Sequence, residues 1–260
     1  MDRHSSLLVF LSLGLLGAAL ISSTIGAYHI DILQLPNILW SRGESYAILL
    51  HIRFPRVVLA GLVGAVLGLT GATLQGLFRN PLADPGLIGI SAGAGLGAAL
   101  WIVLGGTALS GLWGIPFAAF VMGGAVTWFL WLLAKTESTI STVTLLLAGI
   151  AVNSLAGAGL GIMTFLADDQ QLRSLTFWLL GSSTGGTWEM IGIALPFMII
   201  GAGLLIKLAP SLNALSLGES EAFHLGVSTE VLKKRVILGS ALAVGAAVSV
   251  AGGIGFIGLV

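Results

Sequence analysis

The chain has 260 residues, of which 56% are hydrophobic and only 8% charged, with a formal net charge of zero. Soluble domains carry about 25% charged residues, so this chain has too few polar side chains to cover a water-facing surface. We therefore expect much of its surface to face lipid. The balanced charge gives no reason to expect a nucleic-acid partner, and the absence of cysteine excludes disulfides, thiolate metal sites and thiol catalysis.

The first apolar run follows a short polar N-terminus and covers residues 7–27. Its length suits a membrane-spanning helix, which needs about 20 apolar residues. A secretory signal peptide is the alternative, but the run is long for one and no small-residue cleavage motif ends it. We therefore predict an uncleaved first spanning helix.

Further apolar stretches of similar length follow along the chain. They cover residues 57–77, 86–104, 112–134, 140–167, 190–208 and 236–251. The last one continues as an apolar run to residue 260, which we interpret as the start of another span and as a sign of C-terminal truncation. The prediction is an all-α, polytopic transmembrane helix bundle of about seven spans, formed by one domain over residues 1–260 and without a soluble domain.

Basic residues in the connections predict the orientation, because cytoplasmic loops carry an excess of Lys and Arg. With the N-terminus inside, the cytoplasmic connections hold more basic residues than the outer ones. The cluster of Lys233, Lys234 and Arg235 makes the largest contribution. We therefore predict a cytoplasmic N-terminus.

The predicted spans contain almost no ionisable side chain, since Glu189 and Lys207 lie at span edges. Proton-coupled transporters usually place Asp, Glu or His inside the membrane. The glycines of a P-loop are missing before Lys135 and Thr136, and no catalytic, metal-ligand or cofactor motif is present. Active transport would then draw its energy from another subunit, although sodium coupling through backbone carbonyls is a route that this reasoning leaves open.

Two arginines, Arg53 and Arg56, flank Pro55 at the predicted outer end of the second span. One interpretation is that both side chains reach toward lipid headgroups. The other is a rigid, positively charged rim that receives carboxylates from a docking protein.

A polar segment between the second and third predicted spans forms what we name the inner turn, on the cytoplasmic side. Its members are Arg79, Asn80, Pro81, Asp84 and Pro85. The two prolines and the Asn and Asp residues favour a tight structural turn.

The longest cytoplasmic connection covers residues 212–227, which we name the coupling segment. Gly218 and Gly226 divide it into short pieces. It is either a solvated loop with a surface helix or a helical knuckle that fits a groove on a cytoplasmic partner. Under the second interpretation, we expect Ala222 and Gly226 to lie at close contacts. The residues expected to form the contact are Leu215, Gly218, Glu219, Ala222, Leu225 and Gly226.

Residues 53–97 resemble the FecCD-type permease family, the membrane subunits of importers for vitamin B12, iron–siderophores and haem. The matching motifs are R-F-P-R, then L-V-G-A-V-L-G-L-T-G-A-T-L-Q, then R-N-P-L-A-D-P-G-L-I-G-I-S-A-G-A. Residues 146–153, 177–188, 215–227 and 255–260 fit the same family. The resemblance therefore covers the chain from about residue 28 onward.

The resemblance implies a multi-pass protein of the bacterial inner membrane that works as a homodimer, with about ten spanning helices in the complete family member. It implies that cytoplasmic ATPase subunits bind the coupling segment and that a periplasmic binding protein docks its glutamates on Arg53 and Arg56. It implies no cofactor in the chain itself. Family members normally continue beyond the G-F-I-G-L-V motif, so stand-alone transport is not expected of residues 1–260.

The substrate is indicated by residues 167–178, which look most like the haem permeases of this family. The same residues also fit a simple capped helix, since Asp168 or Asp169 can cap its N-terminus. We expect an iron chelate, with haem first, an iron–siderophore next and cobalamin third. The alternative functions are a secondary transporter driven by an ion gradient and an inactive fragment of a permease.

Overall fold

The computed structural model describes residues 3–26, 28, 30, 31, 34–41, 43–105, 113–135 and 141–259. Residues 27, 112, 140 and 260, at the ends of predicted apolar runs, lie outside this set. The helices are α1 (Arg3–Thr24), α2 (Leu35–Ser41), α3 (Glu44–Ile48), α4 (Phe54–Phe78), α5 (Ile90–Leu104), α6 (Gly114–Ala134), α7 (Thr142–Leu166), α8 (Asp169–Leu180), α9 (Trp188–Lys207), α10 (Ala209–Ser216), α11 (Glu219–His224) and α12 (Thr229–Ala251). A π-helical turn covers Leu49–Arg53, and 3₁₀ turns cover Pro85–Ile88 and Ile257–Leu259.

Among the described residues, 6 helical stretches are long and apolar enough to cross a membrane. They are Ser5–Thr24, Glu44–Phe78, Gly114–Ala134, Thr142–Leu166, Trp188–Lys207 and Thr229–Ala251. The predicted third span is shorter than expected, because the chain forms a 3₁₀ turn, reverses at Gly89 with φ of +80°, and only then begins the 15 residues of α5. The all-α, multi-span architecture is confirmed.

The described chain divides into two compact units. Unit 1 contains residues 1–61 and 183–191, and unit 2 contains residues 62–182 and 192–260. In unit 1, α1 exposes apolar side chains on almost every side, as expected of a helix surrounded by lipid. Trp188 Nε1 donates a hydrogen bond of 2.8 Å to the Leu50 carbonyl and so connects the two parts of unit 1.

The second span begins earlier than predicted, since helical structure is continuous from Glu44 to Phe78. Arg53 and Arg56 therefore lie within the helical stretch and not at its end. Pro55 has no N–H to donate to a carbonyl in the preceding turn, and a π-turn, which pairs residues five apart, immediately precedes it. The wider turn keeps the chain helical through a residue that normally begins or breaks a helix.

The core of unit 2 includes a close contact between α5 and α6. A Cβ atom added to Gly97 would lie 2.3 Å from the Ala118 carbonyl oxygen, and one added to Gly93 would lie 2.9 Å from the Met122 carbonyl oxygen. Small residues at helical spacing thus allow close backbone approach here. The glycines at similar spacing in α4 and α7 have no such neighbours within 4 Å; they are Gly61, Gly64, Gly68, Gly157 and Gly161.

Helix α12 is the most buried of the candidate spans and ends at Ala251, where Gly252 has a φ of +75°. The Gly253 amide then donates to the Trp178 carbonyl at 3.1 Å. Further on, Gln75 Nε2 on α4 donates to the Gly258 carbonyl at 3.1 Å. Residues 252–259 therefore pack back onto unit 2 as irregular chain and a 3₁₀ turn, although their apolar composition suggested the start of another span.

Candidate functional site

The coupling segment forms two short helices, α10 and α11, between the spans α9 and α12. Gly218 separates them with a φ of +136°, and Gly226 follows α11 with a φ of +81°. Side chains with a Cβ rarely adopt these conformations, which explains glycine at both positions. The division into short pieces predicted from the two glycines is present in the structure.

The side chains of the coupling segment fall into an anchored group and an exposed group. Leu215 is 1% exposed and Ala222 is fully buried, so these two fix the segment to unit 2. Phe223 and Leu225 are 72% and 63% exposed. Both side chains are therefore open to contact by a partner protein.

Glu219, the first residue of α11, connects the segment to two spanning helices. Its Oε1 atom accepts a hydrogen bond of 2.9 Å from Lys233 Nζ on α12 and one of 3.2 Å from Thr142 Oγ1 on α7. Lys233 is 1% exposed, whereas the Glu219 side chain is 42% exposed. The carboxylate therefore lies at the surface and binds a cation that is enclosed by the protein.

The charge state of Glu219 follows from its neighbours. Partial burial is the largest influence and opposes ionisation, but the hydrogen bond and charge of Lys233, the hydrogen bond of Thr142 and the charge of Arg79 together lower the pKa of the Glu219 carboxyl below its ordinary value. The carboxylate is thus ionised at neutral pH and accepts charge-assisted hydrogen bonds from Lys233 and Thr142.

The inner turn lies at the same end of unit 2 as the coupling segment, since the charge of Arg79 acts on Glu219. Arg79 has a φ of +49°, the Asn80 Oδ1 atom accepts from the Leu82 amide at 2.9 Å, and Asp84 Oδ1 accepts from the Gly86 amide at 2.8 Å. Pro85 is buried in the 3₁₀ turn that follows, and Pro81 is exposed. These contacts are those of a tight turn that closes on itself.

Two further contacts are made by residues that flank the inner turn. Asn153 Nδ2 on α7 donates to the Gly86 carbonyl at 2.9 Å. A Cβ atom on Gly76 would lie 3.8 Å from the Leu212 Cβ atom of α10. The inner turn, the start of α7 and the coupling segment, which are distant in sequence, are therefore brought together.

Ala222 and Gly226 differ in their surroundings within the chain. Ala222 is fully buried, whereas a Cβ atom on Gly226 would meet nothing within 4 Å among the described residues. Within the chain, the constraint at Gly226 is its positive φ. Close contact of either residue with a partner stays a prediction.

Arg53 has a different environment from the one its sequence position suggested. Its Nη1 atom donates to the Ser23 and Thr24 carbonyls at 2.8 and 2.7 Å, and its Nη2 atom donates to the Tyr28 carbonyl. Arg53 is 8% exposed. A cation that binds the last carbonyls of α1 stabilises that helix end.

Arg56 is half-buried, and its Nε atom is buried without a hydrogen-bond partner. Arg53 and Arg56 thus differ, because only the first is fully engaged by the chain itself. A docking role for either arginine stays a prediction.

The polar residues at 167–178 have local roles. Asp168 Oδ1 accepts from the amides of Gln170 and Gln171 at 2.9 and 2.8 Å, and Gln171 Oε1 accepts from the Asp168 amide at 3.0 Å. This reciprocal arrangement is a capping box at the start of α8. The helix cap that we considered for Asp168 is therefore present, and it accounts for these residues without a substrate.

Two residues of the site were missed from sequence. Lys233 had been used only as part of the basic cluster that sets orientation, and Thr142 had not been noted. No local pattern marks them, because their partner Glu219 is 14 and 77 residues away.

The chain is similar in sequence to known membrane permeases. The model of the FecCD transport family matches residues 14–260. The haemin transport permease HmuU of Yersinia pestis is 41% identical, over 96% of this chain and 76% of that protein. The cobalamin import permease BtuC of Halobacterium salinarum is 38% identical over 80% of this chain and 56% of that protein. The molybdate import permease MolB of Haemophilus influenzae is 33% identical over 100% of this chain and 78% of that protein.

A solved structure gives a similar result. An inward-facing transporter assigned to the metal-chelate ABC type superposes with a TM-score of 0.85 at 31% identity, over 98% of this chain and 79% of that chain.

Proposed function

The chain belongs to the FecCD transport family, and we propose that it forms the membrane pathway of an ATP-driven importer whose substrate is haem. The class of function, a permease subunit of an ABC importer for haem, vitamin B12 or another metal chelate, follows from the family and from the similar permeases. The choice of haem rests on the haemin permease, which has 41% identity to this chain.

The observation that carries the proposal is the arrangement of the coupling segment. Its buried residues, Leu215 and Ala222, hold it to unit 2, while Phe223 and Leu225 remain exposed for a partner. Glu219 connects it to α7 and α12. A cytoplasmic ATPase that binds the exposed side chains and moves this segment would therefore move the beginnings of two spanning helices together.

The remaining parts of the proposal concern partners and orientation. We infer that the protein lies in the bacterial inner membrane as a homodimer with its N-terminus in the cytoplasm. The coupling segment would then face the ATPase, and a periplasmic binding protein would dock its glutamates on Arg56, with Arg53 beside it. Arg56 is the better candidate because Arg53 already bonds to backbone carbonyls.

The test of the substrate uses the permease assembled with its ATPase and binding protein in proteoliposomes. Binding-protein complexes of haem, an iron–siderophore, cobalamin and molybdate are compared for stimulation of ATP hydrolysis and for ATP-dependent uptake. We expect haem to give the largest effect in both assays. Stronger stimulation and uptake with one of the other compounds would show that this compound, and not haem, is the substrate. The assignment as an importer would be unchanged.

A further inference from the structure

A groove of about 400 Å³ runs between α6 and α12 on the apolar surface of unit 2. Its walls include Val121, Gly124 and Trp128 on α6 and Leu238 and Ala241 on α12, and Lys234 is the one charged lining group among the described residues. The Thr127 hydroxyl, which also lines it, donates to the Gly123 carbonyl at 2.8 Å. The groove is therefore apolar along its walls and positive at one point.

The charged point lies at one end. Phe120 near the start of α6 packs beside Gly245 in the second half of α12, because a Cβ atom on Gly245 would lie 3.5 Å from the Phe120 ring. The groove then follows α6 forward to Trp131 and α12 backward to Lys234. Trp131 and Lys234 therefore close the same end, which is the end where the coupling segment joins α12.

The length of the groove matches one leaflet of a bilayer. From Phe120 to Trp131 an α-helix rises about 16 Å, and half of a hydrocarbon core about 30 Å thick is about 15 Å. Tryptophan and lysine at one end of such a groove are the residues found at the membrane–water boundary.

The groove, of about 400 Å³, is apolar and open along its length, so an extended acyl chain is thin enough to enter it. No described carboxylate lies within 4.0 Å of the Lys234 ammonium, since the ion pair that the described residues contain joins Lys233 to Glu219.

We propose that an anionic phospholipid binds in this groove, with an acyl chain between α6 and α12 and its phosphate beside Lys234. The inference relies on the proposed function only for the leaflet, which is the cytoplasmic one if the coupling segment faces the ATPase. The anionic surface of that leaflet attracts basic residues at helix ends. The bound phosphate would lie one residue from Lys233, which holds Glu219 of the coupling segment.

Quenching of tryptophan fluorescence by brominated lipid tests the proposal on the intact chain in nanodiscs. Titrations with brominated phosphatidylglycerol and brominated phosphatidylcholine are compared, and the difference from a Trp128→Phe variant assigns the quenching to Trp128. We expect the anionic lipid to quench Trp128 at a lower mole fraction. Lys234→Gln should raise the mole fraction of phosphatidylglycerol at half-quenching about fivefold, while Arg235→Gln, which removes the same charge outside the groove, should change it much less.

A second pair of variants tests the groove itself. A Cβ atom on Gly124 meets nothing within 4 Å, so Gly124→Leu should place its side chain in the groove and abolish the preference for phosphatidylglycerol. Gly203→Leu on α9 has the same free space away from the groove and should leave the preference intact. Equal quenching by the two lipids, equal effects of Lys234→Gln and Arg235→Gln, or no quenching of Trp128 by either lipid would overturn the proposal.

Discussion

Lys233 on α12 donates a hydrogen bond of 2.9 Å to Glu219 on α11, although Lys233 is 1% exposed and Glu219 is 42% exposed. The pair places a lysine inside the protein and its counter-charge at the surface. Removing one partner of such a pair leaves the other charge without compensation. The free-energy cost is larger when the charge that remains is the buried one. The coupling segment is thereby tied to α12 by one chemically defined contact.

Replacing the buried cation tests this connection. We predict that Lys233→Met lowers the free energy of unfolding by about 1 kcal/mol, which is less than a fully buried charged hydrogen bond contributes because Glu219 is partly solvated. We also predict that it reduces the transport achieved per ATP hydrolysed. Unfolding of the detergent-purified protein and uptake in proteoliposomes provide the two measurements.

The matched control is Arg235→Met, which removes an exposed charge two positions along α12. A double-mutant cycle of Lys233→Met with Glu219→Gln should give a coupling energy of about 1 kcal/mol. Independent, additive effects of the two substitutions would show that the pair does not contribute.

The lowered pKa of Glu219 predicts a pH dependence of stability. Its folded-state pKa lies below the ordinary value of 4.5, so the contribution of the pair is complete above that pH and is lost as the pH falls through the folded pKa. The thermal midpoints of the wild type and of Glu219→Gln should differ by a constant amount above about pH 5 and converge in more acidic solution. A difference that widens on acidification would contradict the assignment.

The coupling segment should respond differently to substitutions at Ala222 and Gly226. Ala222 is fully buried, so Ala222→Trp should displace α11 and uncouple ATP hydrolysis from uptake while the protein still inserts in the membrane. At Gly226 only the positive φ limits the choice, so Gly226→Asn should be milder than Gly226→Val. Basal and ligand-stimulated ATPase rates measure both effects, and equal results for the Asn and Val variants would refute the backbone argument.

We predict that Arg53 has a structural role and Arg56 a docking role. Arg53→Met removes the donors to three carbonyls and should destabilise the protein by about 1–3 kcal/mol. Arg56→Glu should leave stability nearly unchanged and weaken the binding protein's affinity at low salt, with a smaller effect at high salt. If Arg56→Glu binds as well as the wild type at low salt, docking occurs elsewhere.

Local signals in the sequence predicted several features correctly. Gly218 and Gly226 marked the ends of the short helices because side chains with a Cβ rarely adopt the backbone angles found there. Asp168 marked the start of α8 because a carboxylate can accept from amides within the same turn. The spanning helices followed from the length of their apolar runs.

Features that depend on distant contacts were not predictable from the sequence. Lys233 is buried with a counter-charge, Glu219, that comes from another helix. Helix α12 begins at Thr229, seven positions before the apolar run suggested. The glycine spacing of α4 and α7 resembled that of α5, but of the glycines at that spacing only Gly93 and Gly97 of α5 meet a neighbouring backbone within the described part of the chain. Spacing alone does not say which helix will lie opposite.

The central claim is that transport by this family member is driven by a separate ATPase acting through the coupling segment. The most direct measurement is uptake by proteoliposomes that contain the permease with its ATPase and binding protein, in the presence and absence of ATP and of a protonophore. We predict that uptake requires ATP and continues when the proton gradient is collapsed, since the apolar runs of the sequence contain almost no Asp, Glu or His that could relay protons. Uptake driven by an imposed proton or sodium gradient in the absence of the ATPase would contradict the claim.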